Sequence, residues 1–193
     1  QRLIYEEFFK FELLVLRQKL KMEKAAADIY GATTGQAALT DLEKSLPFPL
    51  TGDQKKALAE ITADLRAGHP MNRLIQGDVG SGKTVVALLA AGVVLSEGGQ
   101  AALMAPTEIL AEQHFRVAQN FFGKKLRIEL LTGKTPASER KPILKKLESG
   151  EPLLLIGTHA LIEDPVQFKN LGLVLIDEQH RFGVDQRRIL RTK

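Results

Sequence analysis

Cysteine is absent from these 193 residues. Without thiols the chain has no disulfide and no thiolate metal site, and an extracellular disulfide scaffold is argued against. Long apolar runs are missing as well: no stretch nears the roughly 20 residues that a membrane-spanning helix needs, and Gln1-Arg2 does not open a signal peptide. These absences predict a cytoplasmic protein. Charge of one sign is also scarce. The formal net charge is +4 with a pI near 9.3, a lean toward an anionic partner rather than a strong polycation. With 44% hydrophobic and 26% charged residues the composition fits a globular chain with one good core and an appendage. The start lacks Met, and Arg191-Thr192-Lys193 carries no terminating signal. Both ends therefore read as cut from something longer.

What is present is organised around Gly77 to Thr84, Gly-Asp-Val-Gly-Ser-Gly-Lys-Thr, which satisfies G-x-x-x-x-G-K-[ST]. Gly77, Gly80 and Gly82 let the backbone bend so that successive N–H groups, those of Asp78, Val79 and Ser81 among them, converge on one anion. Lys83 reaches the β- and γ-phosphates as a point charge, and the Thr84 hydroxyl suits Mg²⁺. Leu74-Ile75 ahead of the loop predicts a short strand, and Val85 to Leu95 behind it predicts a helix. That order sets a helix N-terminus under the phosphates. The chain binds a nucleoside triphosphate on this reading.

Around the loop the pattern alternates. Residues 1 to about 30 predict one long helix, with Ile4, Phe8, Phe11, Val15 and Met22 as its apolar stripe. Gly31 to Gly35 breaks it, a short helix follows from Gln36 to Ser45, and Pro47 and Pro49 close the stretch, so 31 to 47 reads as a linker. Thr51 and Gln54 fit a capping box for a helix to Arg66; the other reading of Gln54 is an amide that reads an adenine edge. Further strands are expected at Ala101–Ala105, Leu126–Leu131, Leu153–Ile156 and Leu173–Ile176, with helices from Thr107 to Phe122 and from Thr135-Pro136 to Gly150. Thr135 is expected at N-cap and Pro136 at N1. Lys141, Lys145 and Lys146 give the latter helix a basic side, either a solvated face or a DNA contact.

Apolar runs alternating with helices predict an α/β fold on a parallel sheet buried on both faces, with ligands at the carboxyl ends of its strands. The phosphate loop, Thr107, Gly133, Thr158 and Asp177-Glu178 each follow a strand directly. Asp177 is expected to hold Mg²⁺, and Glu178 to orient and deprotonate the attacking water. No Asn-Lys-x-Asp is present to read guanine, so the expected cofactors are ATP and Mg²⁺.

Phe48 to Gln54, Gly77 to Thr84, Ala105-Pro106-Thr107-Glu108, Gly157-Thr158-His159 and Asp177-Glu178-Gln179-His180-Arg181-Phe182-Gly183-Val184 resemble consecutive motifs of superfamily 2 helicases. Asp-Glu-Gln-His-Arg-Phe-Gly-Val followed by Gln186-Arg187 is similar to the bacterial ATP-dependent helicases that remodel stalled forks and Holliday junctions in recombination and repair. The related transcription-repair coupling translocases typically carry Asp-Glu-Glu-His there. The resemblance implies a RecA-like P-loop NTPase lobe over 47–193, truncated at its C-terminus and preceded by a helical linker over 1–46. It makes Gln54 the adenine reader and Thr107, Gly133, Thr158 and His159 contacts to the DNA backbone. Gln179 and His180 become couplers of nucleotide state to DNA. It further implies a monomeric motor on branched or double-stranded DNA, with a wedge domain and a second lobe lying outside these residues and the fragment alone inactive. The alternatives are a coupling- or primosome-type translocase, or a regulatory module that holds nucleotide without hydrolysing it.

Overall fold

The computed structural model describes residues 27–32 and 34–181; the expected helix over 1 to 30 falls almost wholly outside them, and residues 27–30 carry no helix. Five α-helices are present among the described residues: α1 Gly35–Glu43, α2 Gly52–Arg66, α3 Lys83–Ser96, α4 Glu108–Phe122 and α5 Ala137–Ser149. Four apolar runs form strands, β1 Gln100–Met104, β2 Ile128–Leu131, β3 Leu154–Gly157 and β4 Leu171–Ile176. Their order in the sheet is β2-β3-β1-β4, and every neighbouring pair is parallel. Parallel pairing forces crossovers, which α4 and α5 supply between β1, β2 and β3. The carboxyl ends of all four strands therefore open onto one edge.

Strand alternation divides the core in two. Ala101, Leu103, Leu154 and Ile156 face a cluster shared with α1 to α4, while Ala102, Met104 and Leu155 face a smaller one with Ile143 and Leu147 of α5. Helix α3 is buried nearly all round, from Val85 through Leu95, as an apolar helix under a sheet must be. Its N-terminus is thus fixed rigidly. No described helix is long and apolar enough to cross a membrane.

Three expectations change here. Leu74-Ile75 is not a strand: it pairs with no ladder among the described residues, and Leu74 is 66% exposed. Two apolar residues cannot span a pleat of their own, and the neighbouring Arg73 is drawn instead to Glu60 and Asp64 of α2. Only Ile75 packs on the core. The stretch drawn as a linker over 31 to 47 is built into the lobe, because Leu39 and Leu42 of α1 are core residues. Glu97, at the end of α3, accepts the N–H groups of Thr34 and Gly35, each at 2.9 Å, and so caps α1 from outside. Helix α5 starts one residue late, with Pro136 at N-cap. The Thr135 hydroxyl turns back to accept the Thr132 N–H at 2.9 Å and is lost to the helix.

Upstream of α1, Tyr30 is buried at the amino ends of the strands. Its N–H donates to Leu65 O at 3.0 Å and its hydroxyl to Asn170 Oδ1 at 3.2 Å. The ring lies against Gly99 and Gly172, and a Cβ on Gly172 would come within 2.5 Å of it. Glycine is required there by close approach, not by φ.

Candidate nucleotide site and the helicase family

The phosphate loop ends where α3 begins. Gly80 and Gly82 sit at φ +82° and +79°, in the left-handed region, the conformation by which anion-binding loops turn successive N–H groups toward one ligand. Gly82 is also the N-cap of α3, and a Cβ on it would meet Gln54 Nε2 at 2.4 Å. Lys83 Nζ donates to the carbonyls of Gly77 and Asp78, both at 2.7 Å, and to Ser81 Oγ at 3.4 Å. The ammonium thus ties together the carbonyls of the loop that would enclose a phosphate. Val79 at the loop tip is fully exposed.

Gln54 serves two masters within the protein. Its Oε1 accepts the Thr51 N–H at 2.8 Å while its own N–H donates to Thr51 Oγ1 at 3.3 Å, which completes the capping box. Its Nε2 donates to Ser81 O at 2.8 Å. In this state the amide braces the phosphate loop against α2. The capping reading therefore stands, and the adenine reading finds both ends of the amide already engaged.

Asp177 begins where β4 ends, and its N–H donates to Met104 O at 3.0 Å, extending the β1–β4 ladder by one bond. Its carboxylate is held from two sides. His114 Nε2 lies 2.7 Å from Oδ2, and the Glu178 N–H donates to Oδ1 at 3.0 Å. The His114 hydrogen bond keeps the Asp177 carboxyl below the ordinary carboxylate value, against the upward push of partial burial; the Glu178 N–H and the charge of Lys83 act the same way more weakly. Glu178 is exposed at φ +44°, a left-handed conformation that a non-glycine residue adopts at a cost and that clusters at functional positions. Its Oε2 accepts from Arg181 Nε at 2.8 Å.

The donors on offer to a cation are hard oxygens, the Thr84 hydroxyl and the ionised Asp177, with no group of three or more His, Cys, Asp or Glu among the described residues. That set suits Mg²⁺ completed by phosphate and water, and does not suit zinc or a caged Ca²⁺.

The rest of the carboxyl edge is a polar rim. Thr107 caps α4 by accepting the Leu110 N–H at 3.3 Å, and Glu108 pairs with Lys134 beside the exposed Gly133 at 2.6 Å. His159 is exposed and lies 3.4 Å from Glu163. Thr158 departs from expectation: it is only 2% exposed, and its hydroxyl is buried with no partner among the described residues. Enclosed between β3 and its following turn, that side chain does not reach the rim, so Thr107, Gly133 and His159 are its exposed members. Lys146 is likewise drawn to Glu129 at 2.5 Å, which leaves Lys141 and Lys145 as the exposed lysines of α5. Gln179 and His180 form the exposed turn after Glu178.

Sequence reasoning missed His114. Its signal was a histidine at helical spacing within an inward row of Ala111, Ala118 and Phe122, where a polar residue needs a partner. It also missed Arg181 as the partner of Glu178.

A phosphate loop and an acidic strand end brought to one edge of a parallel sheet define a P-loop motor lobe. The chain belongs to the DEAD/DEAH box helicase family, whose profile matches residues 51–192. Among individual relatives it is 51% identical to the ATP-dependent DNA helicase RecG of Streptococcus pneumoniae, over all of this chain and 28% of that protein. RecG of Bacillus subtilis is 48% identical over all of this chain and 28% of its own length, and RecG of Aquifex aeolicus 46% over all of this chain and 24%. A solved structure of RecG bound to a three-way DNA junction matches with a TM-score of 0.83 at 47% identity, over 93% of this chain and 24% of that one. The chain spans about a quarter of the length of these relatives.

Proposed function

We propose that this chain is the first motor lobe, with its N-terminal linker, of a RecG-type ATP-dependent helicase that remodels branched DNA in recombination and repair. It works in the bacterial cytoplasm as a monomer, joined to a wedge domain and a second lobe. The observation that carries the reading is the pairing of a phosphate loop at the N-terminus of α3 with Asp177-Glu178 directly after β4, the Asp177 carboxylate fixed there by His114 and the Glu178 N–H. The RecG relatives, and the RecG structure with a three-way junction, support the nucleic-acid side.

The geometry supports a role for each group. The N–H groups of the loop and Lys83 bind the β- and γ-phosphates, once Lys83 exchanges the carbonyls of Gly77 and Asp78 for phosphate oxygens. The Thr84 hydroxyl and the Asp177 carboxylate would hold Mg²⁺, which would supply neutralisation of phosphate charge. Glu178 takes the proton of the attacking water after its carboxylate leaves Arg181. Gln54 transmits the presence of nucleotide between α2 and the loop through Ser81 O, and turns to adenine only by giving up one of its present bonds. Thr107, Gly133 and His159 serve the DNA side, and Gln179 and His180, in the exposed turn after Glu178, couple it to the nucleotide.

Single-turnover hydrolysis by the full-length protein tests this. Glu178→Gln should slow the chemical step by about 10²–10⁴-fold, the usual contribution of a general base, and leave nucleotide affinity within about threefold. Undiminished hydrolysis would remove Glu178 from the chemistry. If the wild type itself does not hydrolyse ATP, the regulatory-module reading takes its place.

A further inference from the structure

The row that α4 turns inward is apolar at every position but one. Ala111, Ala118 and Phe122 are buried in the core, and among them His114 is only 9% exposed. A leucine would fill that place with no polar group to satisfy, so the imidazole calls for a chemical reason. Its Nε2 lies 2.7 Å from Asp177 Oδ2. Asp177 is an ionised acceptor, so the hydrogen of this bond sits on Nε2. The second oxygen, Oδ1, accepts the Glu178 N–H, and the backbone of Asp177 is fixed by its bond to Met104 O. Each oxygen of this carboxylate is held by a neighbour, and among the described residues His114 is the side chain that holds it.

We propose that His114 is a positioning residue for divalent-cation binding: its Nε2–H holds the Asp177 carboxylate at the edge of the phosphate loop. Each carboxylate oxygen keeps a lone pair free while the other is spent on its donor, so the group is oriented without being consumed. Carboxylates that face metal ions are regularly supported by such a donor, and loss of one typically costs 10–100-fold in metal affinity. The same helix opens at Thr107 on the rim, two turns before His114. A shift of α4 at the rim would therefore be felt at Asp177 through one hydrogen bond.

The inference rests on Asp177 as the metal-facing carboxylate, and the test separates the two ideas. The readout is Mn²⁺ affinity of the full-length protein with ADP, measured by electron paramagnetic resonance, alongside affinity for a fluorescent ADP analogue in EDTA. His114→Leu keeps bulk and removes the donor; it should weaken Mn²⁺ by 10–100-fold and leave metal-free nucleotide affinity within about twofold. His114→Gln, whose Nε2 can take the place of the imidazole Nε2–H, should recover most of the Mn²⁺ affinity. If the leucine variant does not fold, His114→Asn, too short to reach Asp177, replaces it. Unchanged Mn²⁺ affinity in the variants lacking the donor would overturn the proposal, and so would an equal loss of metal-free nucleotide binding or a failure of glutamine to rescue. Asp177→Asn is the control on the underlying reading. Should it bind Mn²⁺ as tightly as the wild type, the metal assignment of Asp177 fails, whatever His114 does.

Discussion

The two ends of the sheet are built on opposite terms. At the amino ends, Tyr30 fills a slot between Gly99 and Gly172, and Gln100 spends its amide on Leu147 O, Glu151 O and the Asn170 N–H. Asn170 in turn donates to Gly98 O and accepts from Tyr30. These partners are backbone or enclosed, and nothing there is arranged to let go. At the carboxyl ends the polar groups are also paired, but with partners that a ligand can replace: Lys83 with loop carbonyls, Glu178 with Arg181, Gln54 with Ser81 O. One end stores stability in bonds that stay made. The other keeps reactive groups in order with bonds that can be exchanged.

The sharpest way to break this contrast is to cut into the amino end. Tyr30→Ala should lower unfolding free energy by about 3–5 kcal/mol, as for other truncated core aromatics, while Tyr30→Phe should cost only about 1 kcal/mol for the lost hydroxyl bond. Both are measured by chemical denaturation, and nucleotide affinity should not change. If Tyr30→Ala were nearly neutral, the amino end would not be the store of stability described.

Lys83→Ala works from the other side. ATP hydrolysis by the full-length protein should fall by about 10²–10³-fold, the range seen when one charge-stabilising donor is removed. Stability should move by no more than about 0.5 kcal/mol, because the carbonyls it leaves behind face water. Junction affinity measured in the same preparation should stay within about tenfold, or 1.4 kcal/mol. A larger loss would mean that nucleotide and DNA groups are not separate.

How far this contrast could be read from sequence depends on range. The phosphate loop, Asp177 and Glu178 were legible because their chemistry demands particular residues at fixed local spacing. The parallel sheet was legible because its strands are continuous apolar runs. Leu74-Ile75 misled because an apolar pair reports burial, not ladder partners, and Ile75 packs on the core, partly buried, without being paired. Tyr30 against Gly172, His114 against Asp177 and Gln54 against Ser81 were illegible, since each joins residues that only the crossovers bring together. Thr158 shows the converse. Its place after a strand was read correctly, but whether its hydroxyl points out or in is decided by packing.

Asp177 offers a smaller, pH-dependent test. Its folded carboxyl is held below the ordinary value, chiefly by His114. The unfolded chain therefore binds the proton more readily, and the stabilisation is fully present above about pH 4 and fades as pH falls below that. The difference in unfolding free energy between wild type and Asp177→Asn should shrink in that window. Its size should be at most about 1 kcal/mol, because the side chain is 37% exposed and solvent screens it. A difference that grew on acidification would mean that the protein favours the protonated acid.

The smallest effect concerns two adjacent lysines of α5 that a sequence cannot tell apart. Lys146 is half-buried and held at 2.5 Å by Glu129 of β2, so its charge is already answered within the fold. Lys145 is exposed beside it. If α5 lies along a DNA backbone, a phosphate releases its counterions to the lysine that is free to meet it. Lys145→Ala should then shallow the dependence of junction affinity on salt by up to about one unit in the log–log slope, uniformly across sequences. Lys146→Ala should leave the slope alone and lower stability by about 0–1 kcal/mol, the worth of a partly exposed ion pair. The measurement is a salt titration of junction binding by the full-length protein, with both variants run beside the wild type. Equal slopes for all three would make the basic side of α5 a solvated face. A shallower slope for Lys146→Ala alone would mean that the Glu129 pair opens on DNA, and would move this lysine from the permanent bonds of the fold to the exchangeable ones.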